Sequence, residues 1–140
     1  MLDIESFVTG EMSTRMAPVP EGEYSAVIVD VKARTVGVDK DKTLLEIYWE
    51  IQDGAMEETL GRLPRSRQFI FLDVTDEGLL DLSSGKNRGL GRLREALGQD
   101  GPGLFWSPNM LVGQMAIVQV EHHEYHGDFF AEVKTIAAIS

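Results

Sequence analysis

Cationic and then aromatic side chains occupy the odd-numbered positions of residues 65–71. Arg65, Arg67, Phe69 and Phe71 occupy every second position of this segment. Because successive side chains of a β-strand point to opposite faces, a strand here places all four on one face. Aromatic rings stack on exposed nucleobases, and cationic side chains follow the phosphates of a single strand. The segment therefore predicts a surface that binds single-stranded nucleic acid.

The same segment also admits a purely structural interpretation. Large apolar side chains are usually buried, so Phe69 and Phe71 suit a hydrophobic core as well as they suit stacking on bases. Arg65 and Arg67 would then be solvated residues at the end of a hairpin. The sequence leaves both interpretations open.

Two earlier segments widen the predicted surface. Alternation predicts that Tyr48 points outward from the preceding strand, and Lys32 and Arg34 lie on the strand before that one. The tyrosine offers another ring for a base, and the two cations offer phosphate contacts. Glu46 and Glu50 flank Tyr48, and their negative charge counts against it as a contact to nucleic acid.

A glycine-rich segment with several cations precedes a predicted helix. Lys86, Arg88 and Arg92 can contact phosphate there, together with the free backbone amides at the start of the helix. The segment is not a P-loop, because Asn87 stands where that motif has Ser or Thr. The alternative is a solvated helix face in which Arg92 pairs with Glu95.

These residues belong to a cationic segment within an acidic chain. Residues 62–94 contain seven of the thirteen Lys and Arg residues but only four acids, whereas the whole chain has a net charge of −10. Residues 1–60 and 95–140 carry net charges of −8 and −5. Negative net charge disfavours nucleic acid, but the field at a binding face depends on the charges nearby. The polarised distribution therefore remains compatible with nucleic-acid binding.

No catalytic or metal-binding motif accompanies the basic segment. His122 and His123 would point to opposite faces of a strand, and their spacing to His126 aligns imidazoles only on a helix, so these histidines are expected to decorate a hairpin. The absence of cysteine excludes disulfides and cysteine-ligated zinc. No nucleophile, base and orienting group can be assembled. We therefore expect no enzymatic activity, no metal and no cofactor.

Length and periodicity predict one mainly β domain behind an arm. The 140 residues match the usual size of a single domain. Residues 1–20 show no sustained period and form an acidic arm, flexible or loosely docked, while residues 21–140 form the domain. Strands are predicted at residues 23–36, 43–52, 65–74, 113–125 and 129–139. Between the third and fourth strands, the spacing of Leu90, Leu93 and Leu97 predicts a helix.

Side-chain alternation assigns faces within the first two strands. In the first, Lys32 and Arg34 fall on the same face as Ile28 and opposite Val31. In the second, the apolar residues at positions 45, 47, 49 and 51 share the face opposite Tyr48. A polar turn of residues 38–42 joins the two strands into a hairpin.

This order of elements is that of the OB-fold, a five-stranded Greek-key barrel with its helix between strands three and four. The nucleic-acid face of that fold consists of strands two and three, with the loops that join strands one and two and strands four and five. The basic and aromatic alternation falls on the third strand. Periodicity does not establish that a barrel closes, so another small β-barrel or an open α+β sheet is also compatible with the sequence.

Four stretches of the sequence resemble one protein family. They are PEGEYSAVIVDVKA, LLEIYWEI, NRGLGRLREALG and LVGQMAIVQVEHHEYHGDFFAEVKTI. They combine a Gly-x-Tyr opening the first strand, a Leu-Gly-x-Leu helix ending in Ala-Leu-Gly, and a Val-Gly strand followed by a Tyr-x-Gly hairpin. With this pattern over residues 20–139, the chain resembles the small OB-fold single-stranded-DNA-binding proteins of tailed bacteriophages.

The resemblance implies a protein that coats single-stranded DNA in phage replication or recombination, largely without sequence preference. Replication or recombination proteins and further copies of the chain would be its protein partners. The sequence shows neither a signal peptide nor an apolar run long enough for a membrane span, so we expect the cytoplasm of a host cell and no membrane partner. The alternative function is an OB-like barrel that serves as a protein–protein interaction or virion assembly module without nucleic-acid binding.

Overall fold

Five strands and two α-helices make up the fold of the described residues. The computed structural model describes residues 19–37, 42–101, 103 and 105–139. The strands are β1 (Gly22–Val36), β2 (Lys42–Ile51), β3 (Arg65–Leu72), β4 (Met115–Tyr125) and β5 (Asp128–Ala137). Helix α1 (Gly54–Leu60) follows β2, helix α2 (Arg88–Ala96) follows β3, and a 3-10 helix (Pro108–Leu111) precedes β4. Residues 1–18 of the predicted arm and residues 38–41 of the predicted turn lie outside the described residues.

The strands close into a barrel in the order β1-β2-β3-β5-β4. The pairs β1/β2, β2/β3, β4/β5 and the closing pair β1/β4 are antiparallel, whereas β3 and β5 pair in parallel. Closure excludes the open sheet. With α2 between β3 and β4, the mainly β architecture predicted from the sequence is confirmed, and it is consistent with an OB-like fold.

The barrel interior is lined by the apolar faces of the strands. Leu45, Ile47, Trp49 and Ile51 are fully buried, which confirms the alternation predicted for β2. Burial of one such side chain stabilises the fold by about 1.5–3 kcal/mol. The indole Nε1–H of Trp49 donates a 2.8 Å hydrogen bond to Oε1 of Gln68, so this inward-facing amide has a partner inside the barrel.

Helix α2 packs closely on the barrel beside β3. Leu90 and Leu93 are buried in the core, and Leu97 packs against it, as their spacing predicts. At Gly89 a Cβ atom would lie only 3.3 Å from Cγ2 of Ile70, so the absence of a side chain lets the helix approach the strand. In the described part of the chain, no helix is both long enough and apolar enough to cross a membrane.

A β-bulge in β1 reverses the direction of the side chains that follow it. The register with β2 shifts between Ile28 and Asp30. Ile28 is buried before the shift, and after it Val31 packs against the core while Lys32 and Arg34 are exposed. The prediction that these two cations share a face with Ile28 is therefore wrong, because one extra residue in a strand breaks strict alternation.

Helix α1 occupies a segment that the sequence indicates only as a polar connection. Oδ1 of Asp53 caps it by accepting hydrogen bonds from the backbone N–H groups of Ala55 (2.9 Å) and Met56 (3.2 Å). Gly61 ends it in a left-handed conformation with φ of 75°. Seven residues without a repeating apolar face give no helical period, which explains why periodicity does not reveal this helix.

Candidate nucleic-acid interface

The solvent-facing side of β1, β2 and β3, here named the outer face, brings together seven of the predicted binding residues. They are Lys32, Arg34, Tyr48, Arg65, Arg67, Phe69 and Phe71. The strand register arranges them in rows, so that Arg67 lies opposite Tyr48, while Phe71 lies opposite Leu44. Arg34 lies on the other side of Leu44 in the same row. Three separate stretches of sequence thus contribute to one surface.

Phe71 is an open aromatic surface on the outer face. Its side chain is 60% exposed, whereas Gln68 and Ile70, at the inward positions of β3, are buried. The core interpretation is therefore wrong for Phe71. The exposed ring is available to a flat ligand.

Phe69 and Tyr48 are half-buried, and each has a cation over its ring. The guanidinium carbon of Arg67 lies 5.5 Å from the centre of the Phe69 ring, and Nζ of Lys32 lies 5.1 Å from the centre of the Tyr48 ring. Such contacts stabilise by about 0.5–1 kcal/mol at exposed sites. A base that stacks on either ring must first displace the cation, so these two positions present phosphate-binding groups more readily than stacking surfaces.

Glu46 lies at the centre of the outer face and is only 5% exposed. Its carboxylate accepts a 3.0 Å hydrogen bond from Nη1 of Arg67 and lies 3.6 Å from Nε of Arg34. A buried carboxylate requires such partners because removing a charge from water is costly. From the sequence, Glu46 opposes binding; in the structure it also orients two arginines. Their side chains remain about half exposed, and a guanidinium has five N–H donors, so each keeps donors for a ligand.

At the beginning of β3 the cations of the outer face lie beside carboxylates. Nε of Arg65 lies 3.4 Å from Oε2 of Glu50. These two residues border a shallow pocket of about 480 Å³ together with Glu57, Arg62 and Leu63. The two carboxylates balance the charges of Arg62 and Arg65, so this end of the strand attracts a phosphate less than its two arginines alone would.

A second shallow pocket, of about 390 Å³, lies where β3 ends. Its lining consists of Lys42, Phe71, Leu72, Asp73, Val74, Asp81 and Lys86. Lys86, predicted from the helix segment, therefore lies beside the outer face. Lys42 is absent from the predicted contacts because it falls in a polar turn, where a charge is ordinarily solvated. Its position beside Phe71 depends on the pairing of β2 with β3, which a scan of the sequence does not resolve.

Asn87 fixes the loop of residues 73–87 that carries Lys86. Its Oδ1 accepts a hydrogen bond from the backbone N–H of Asp73 (2.8 Å), and its Nδ2 donates to the carbonyl oxygens of Asp73 (2.9 Å) and Asp81 (3.0 Å). The backbone N–H of Asn87 also donates to Oδ2 of Asp73 (2.8 Å). The residue that distinguishes this segment from a P-loop thus joins the end of β3 to the start of α2.

Asp81 stabilises the same loop through hydrogen bonds with Ser83. Its Oδ1 accepts hydrogen bonds from the hydroxyl and from the backbone N–H of Ser83. These bonds, with a smaller contribution from the charge of Lys86, hold the pKa of Asp81 below its ordinary value. The carboxylate is therefore ionised at neutral pH and committed to the loop.

Replacing Asn87 by alanine is expected to lower the free energy of unfolding by about 2–3 kcal/mol, because three side-chain hydrogen bonds are lost. Asn87 has a φ of 53°, in the left-handed region that disfavours alanine. Asn87→Gly removes the same bonds without that strain and is expected to be about 1 kcal/mol less destabilised than Asn87→Ala. Urea denaturation of the three proteins measures both effects, and an unchanged midpoint for both variants would contradict this role of Asn87.

The arginines of α2 are less closely connected to the outer face. Arg88 and Arg92 are exposed, and the ion pair considered between Arg92 and Glu95 is not formed among the described residues. Arg94 has a structural role, since its Nε and Nη2 donate to the carbonyl oxygen of Gln99 at 3.1 and 2.8 Å. Arg88 and Arg92 remain predicted phosphate contacts at the margin of the interface.

The histidines belong to the β4–β5 hairpin and its neighbours. Nε2 of His122 lies 2.7 Å from the carbonyl oxygen of Val19, and the backbone N–H of His122 donates to Oε2 of Glu21 at 3.2 Å. His122 thus ties the segment before β1 to β4. Over the described ranges of the chain, no group of three His, Asp or Glu side chains is placed to hold a metal ion.

Two exposed aromatic residues on β5 are missing from the predicted interface. Phe129 and Phe130 are 58% and 39% exposed. Glu132 lies opposite Arg67 in the parallel β3/β5 pair, so alternation places Phe130 on the same side of the barrel as Arg67. The signal in the sequence is the Phe-Phe pair itself, because adjacent strand residues cannot both face the core.

Comparison with known proteins assigns no family to the chain. Neither a protein family nor a curated protein matches the sequence. Any assignment of function therefore depends on the chemistry of the outer face and the pocket beside it.

Proposed function

We propose that this protein binds single-stranded DNA on the outer face of β1, β2 and β3, largely without sequence preference and without catalysis. The observation that carries the proposal is the exposed ring of Phe71 on a surface shared with Lys32, Arg34 and Arg67. Exposed rings beside cations are what a single strand requires, since its bases stack and its phosphates pair with cations.

The residues of the outer face have distinct roles in this proposal. Phe71 stacks on a base, while Arg34 and Arg67, oriented by Glu46, donate hydrogen bonds to phosphates. Lys32 covers Tyr48 in the free protein and turns to phosphate when a base replaces it. The biological role that fits is the coating of exposed strands in phage replication or recombination, inside a host cell and alongside other replication or recombination proteins.

The affinity for a fluorescent oligo-dT, measured by anisotropy, is expected to fall about 100-fold between 50 and 200 mM salt if about five phosphates are contacted, because each contact contributes about 0.7 to the logarithmic slope. Oligo-dA of equal length is expected to bind with similar affinity, and duplex DNA more weakly. Absence of binding to any single strand at 50 mM salt would overturn the proposal.

Exposed apolar side chains favour a second candidate, a protein-interaction or virion assembly module. Leu79 and Leu82 in the loop of residues 73–87 are highly exposed, as is Phe129 on β5. Exposed apolar side chains such as the two leucines of this loop offer a surface that a protein partner can cover. This function becomes the better account if the titration shows no DNA binding and light scattering shows self-association that Leu82→Ser abolishes.

A further inference from the structure

We infer that the pocket at the end of β3 is a nucleotide subsite, in which Lys42 and Lys86 hold a phosphate of the strand beside a base stacked on Phe71. The inference deepens the proposed function and depends on it. It places the strongest phosphate contacts at the Phe71 end of the outer face, and not at Arg65, where the alternation in the sequence begins.

The charged side chains of the pocket differ in whether they already have a hydrogen-bond or ion-pair partner. Asp73 and Asp81 accept hydrogen bonds from Asn87 and Ser83, so their carboxylates hold the loop in place. Neither Lys42 nor Lys86 forms an ion pair or a side-chain hydrogen bond in the part of the chain that the structure describes. The two ammonium groups can therefore meet a phosphate without breaking an ion pair, in a pocket that also contains the negative charges of Asp73 and Asp81.

The arginines of the outer face differ in this respect. Arg34 and Arg67 share the buried Glu46, and Arg65 pairs with Glu50. A phosphate that approaches these arginines meets a positive charge that a carboxylate already partly neutralises. The free energy gained on binding the phosphate is therefore smaller. Two lysines without an ion pair are therefore the preferred candidates for phosphate contacts.

The shape of the pocket suits one nucleotide. Its volume of about 390 Å³ falls in the range of small-ligand sites, and Phe71, Leu72 and Val74 give it an apolar wall. Phe71 belongs both to this wall and to the outer face, so a strand bound along the face can place one base and its phosphate here. The charge-balanced pocket around Arg65 lies at the other end of β3, about 23 Å away at the rise of a β-strand.

The test uses Lys42→Gln, Lys86→Gln and the double variant. Arg62→Gln is the control, since it removes one cation from the pocket at the other end of β3. Oligo-dT binding is titrated by anisotropy between 50 and 200 mM salt. Losing two phosphate contacts is expected to reduce the slope of log K against log salt by about 1.4, so wild-type affinity falls about 7-fold more over this range than that of the double variant. Arg62→Gln is expected to keep the wild-type slope, and urea denaturation checks that all variants fold.

The outcomes separate this inference from the function on which it depends. If wild-type protein binds oligo-dT and the folded double variant keeps the wild-type slope, the subsite is wrong and the proposed function stands. If wild-type protein binds no single strand, both fall. A parallel titration with dTMP tests the source of the phosphate: tight binding of the free nucleotide with an unchanged oligo-dT slope in the double variant would assign the pocket to mononucleotides and overturn the inference.

Discussion

Phe71→Ala is expected to weaken binding to single-stranded DNA by about 5- to 140-fold, because loss of one ring that stacks on a base costs about 1–3 kcal/mol and each 1.4 kcal/mol is a factor of ten. The fold is expected to remain intact. The ring is 60% exposed, so its removal leaves no cavity, and exposed substitutions usually change stability by less than about 0.5 kcal/mol. Oligo-dT anisotropy measures the affinity, and urea denaturation measures the stability.

Phe105 provides a matched control for this experiment. It is 87% exposed and lies in the connection between α2 and the 3-10 helix, outside the strands that form the outer face. Phe105→Ala removes an even more exposed ring and is expected to leave oligo-dT affinity unchanged. Equal affinities for wild type and both variants would exclude stacking on Phe71, and a parallel loss of affinity and stability in Phe71→Ala would assign the ring a structural role.

Reversing the charge of Arg67 is expected to cost far more stability than reversing that of Arg65. Arg67→Glu removes the 3.0 Å hydrogen bond to the buried Glu46 and sets a second carboxylate beside it. Breaking this partly buried pair is expected to lower the free energy of unfolding by about 2–4 kcal/mol. Arg65→Glu disturbs a pair with the more exposed Glu50, where the loss is expected to stay below about 1 kcal/mol.

The two reversals form a matched pair, since each changes the charge by the same amount on the same face of one strand. Urea denaturation of both variants, followed by oligo-dT titration of the folded proteins, separates stability from binding. Both variants are expected to bind more weakly than wild type, because each puts a negative charge where a phosphate passes. Equal stability losses would mean that the carboxylate of Glu46 does not depend on Arg67.

Local periodicity accounts for the parts of the fold that the sequence predicted. Alternation along β2 gave the correct inward residues, including Trp49, and the spacing of Leu90 and Leu93 gave the buried stripe of α2. It also placed Arg67 and Phe71 on one face. These properties follow from the geometry of a single strand or helix, so neighbouring residues suffice to predict them.

Long-range pairing decided the rest. From alternation alone, Phe71 could lie either in the core or on the surface. In the closed barrel its side of β3 faces outward. The bulge after Ile28 turned Lys32 outward against strict alternation. Lys42 and Lys86 lie 44 positions apart in the sequence, yet the pairing of β2 with β3 and the Asn87 hydrogen bonds bring them to one pocket.

The central example is Glu46. In the sequence it is an acid among cations, and its charge alone indicates repulsion of a phosphate. In the structure it is buried and accepts a hydrogen bond from Arg67, so the same charge holds the cation that a phosphate would meet. The effect of a charge depends on burial and on its partners, and both are set by which strands pair. The sequence therefore determined the residue types and the alternation within β2 and β3, and the closed barrel, with the bulge in β1, decided which residues face outward and are available to a ligand.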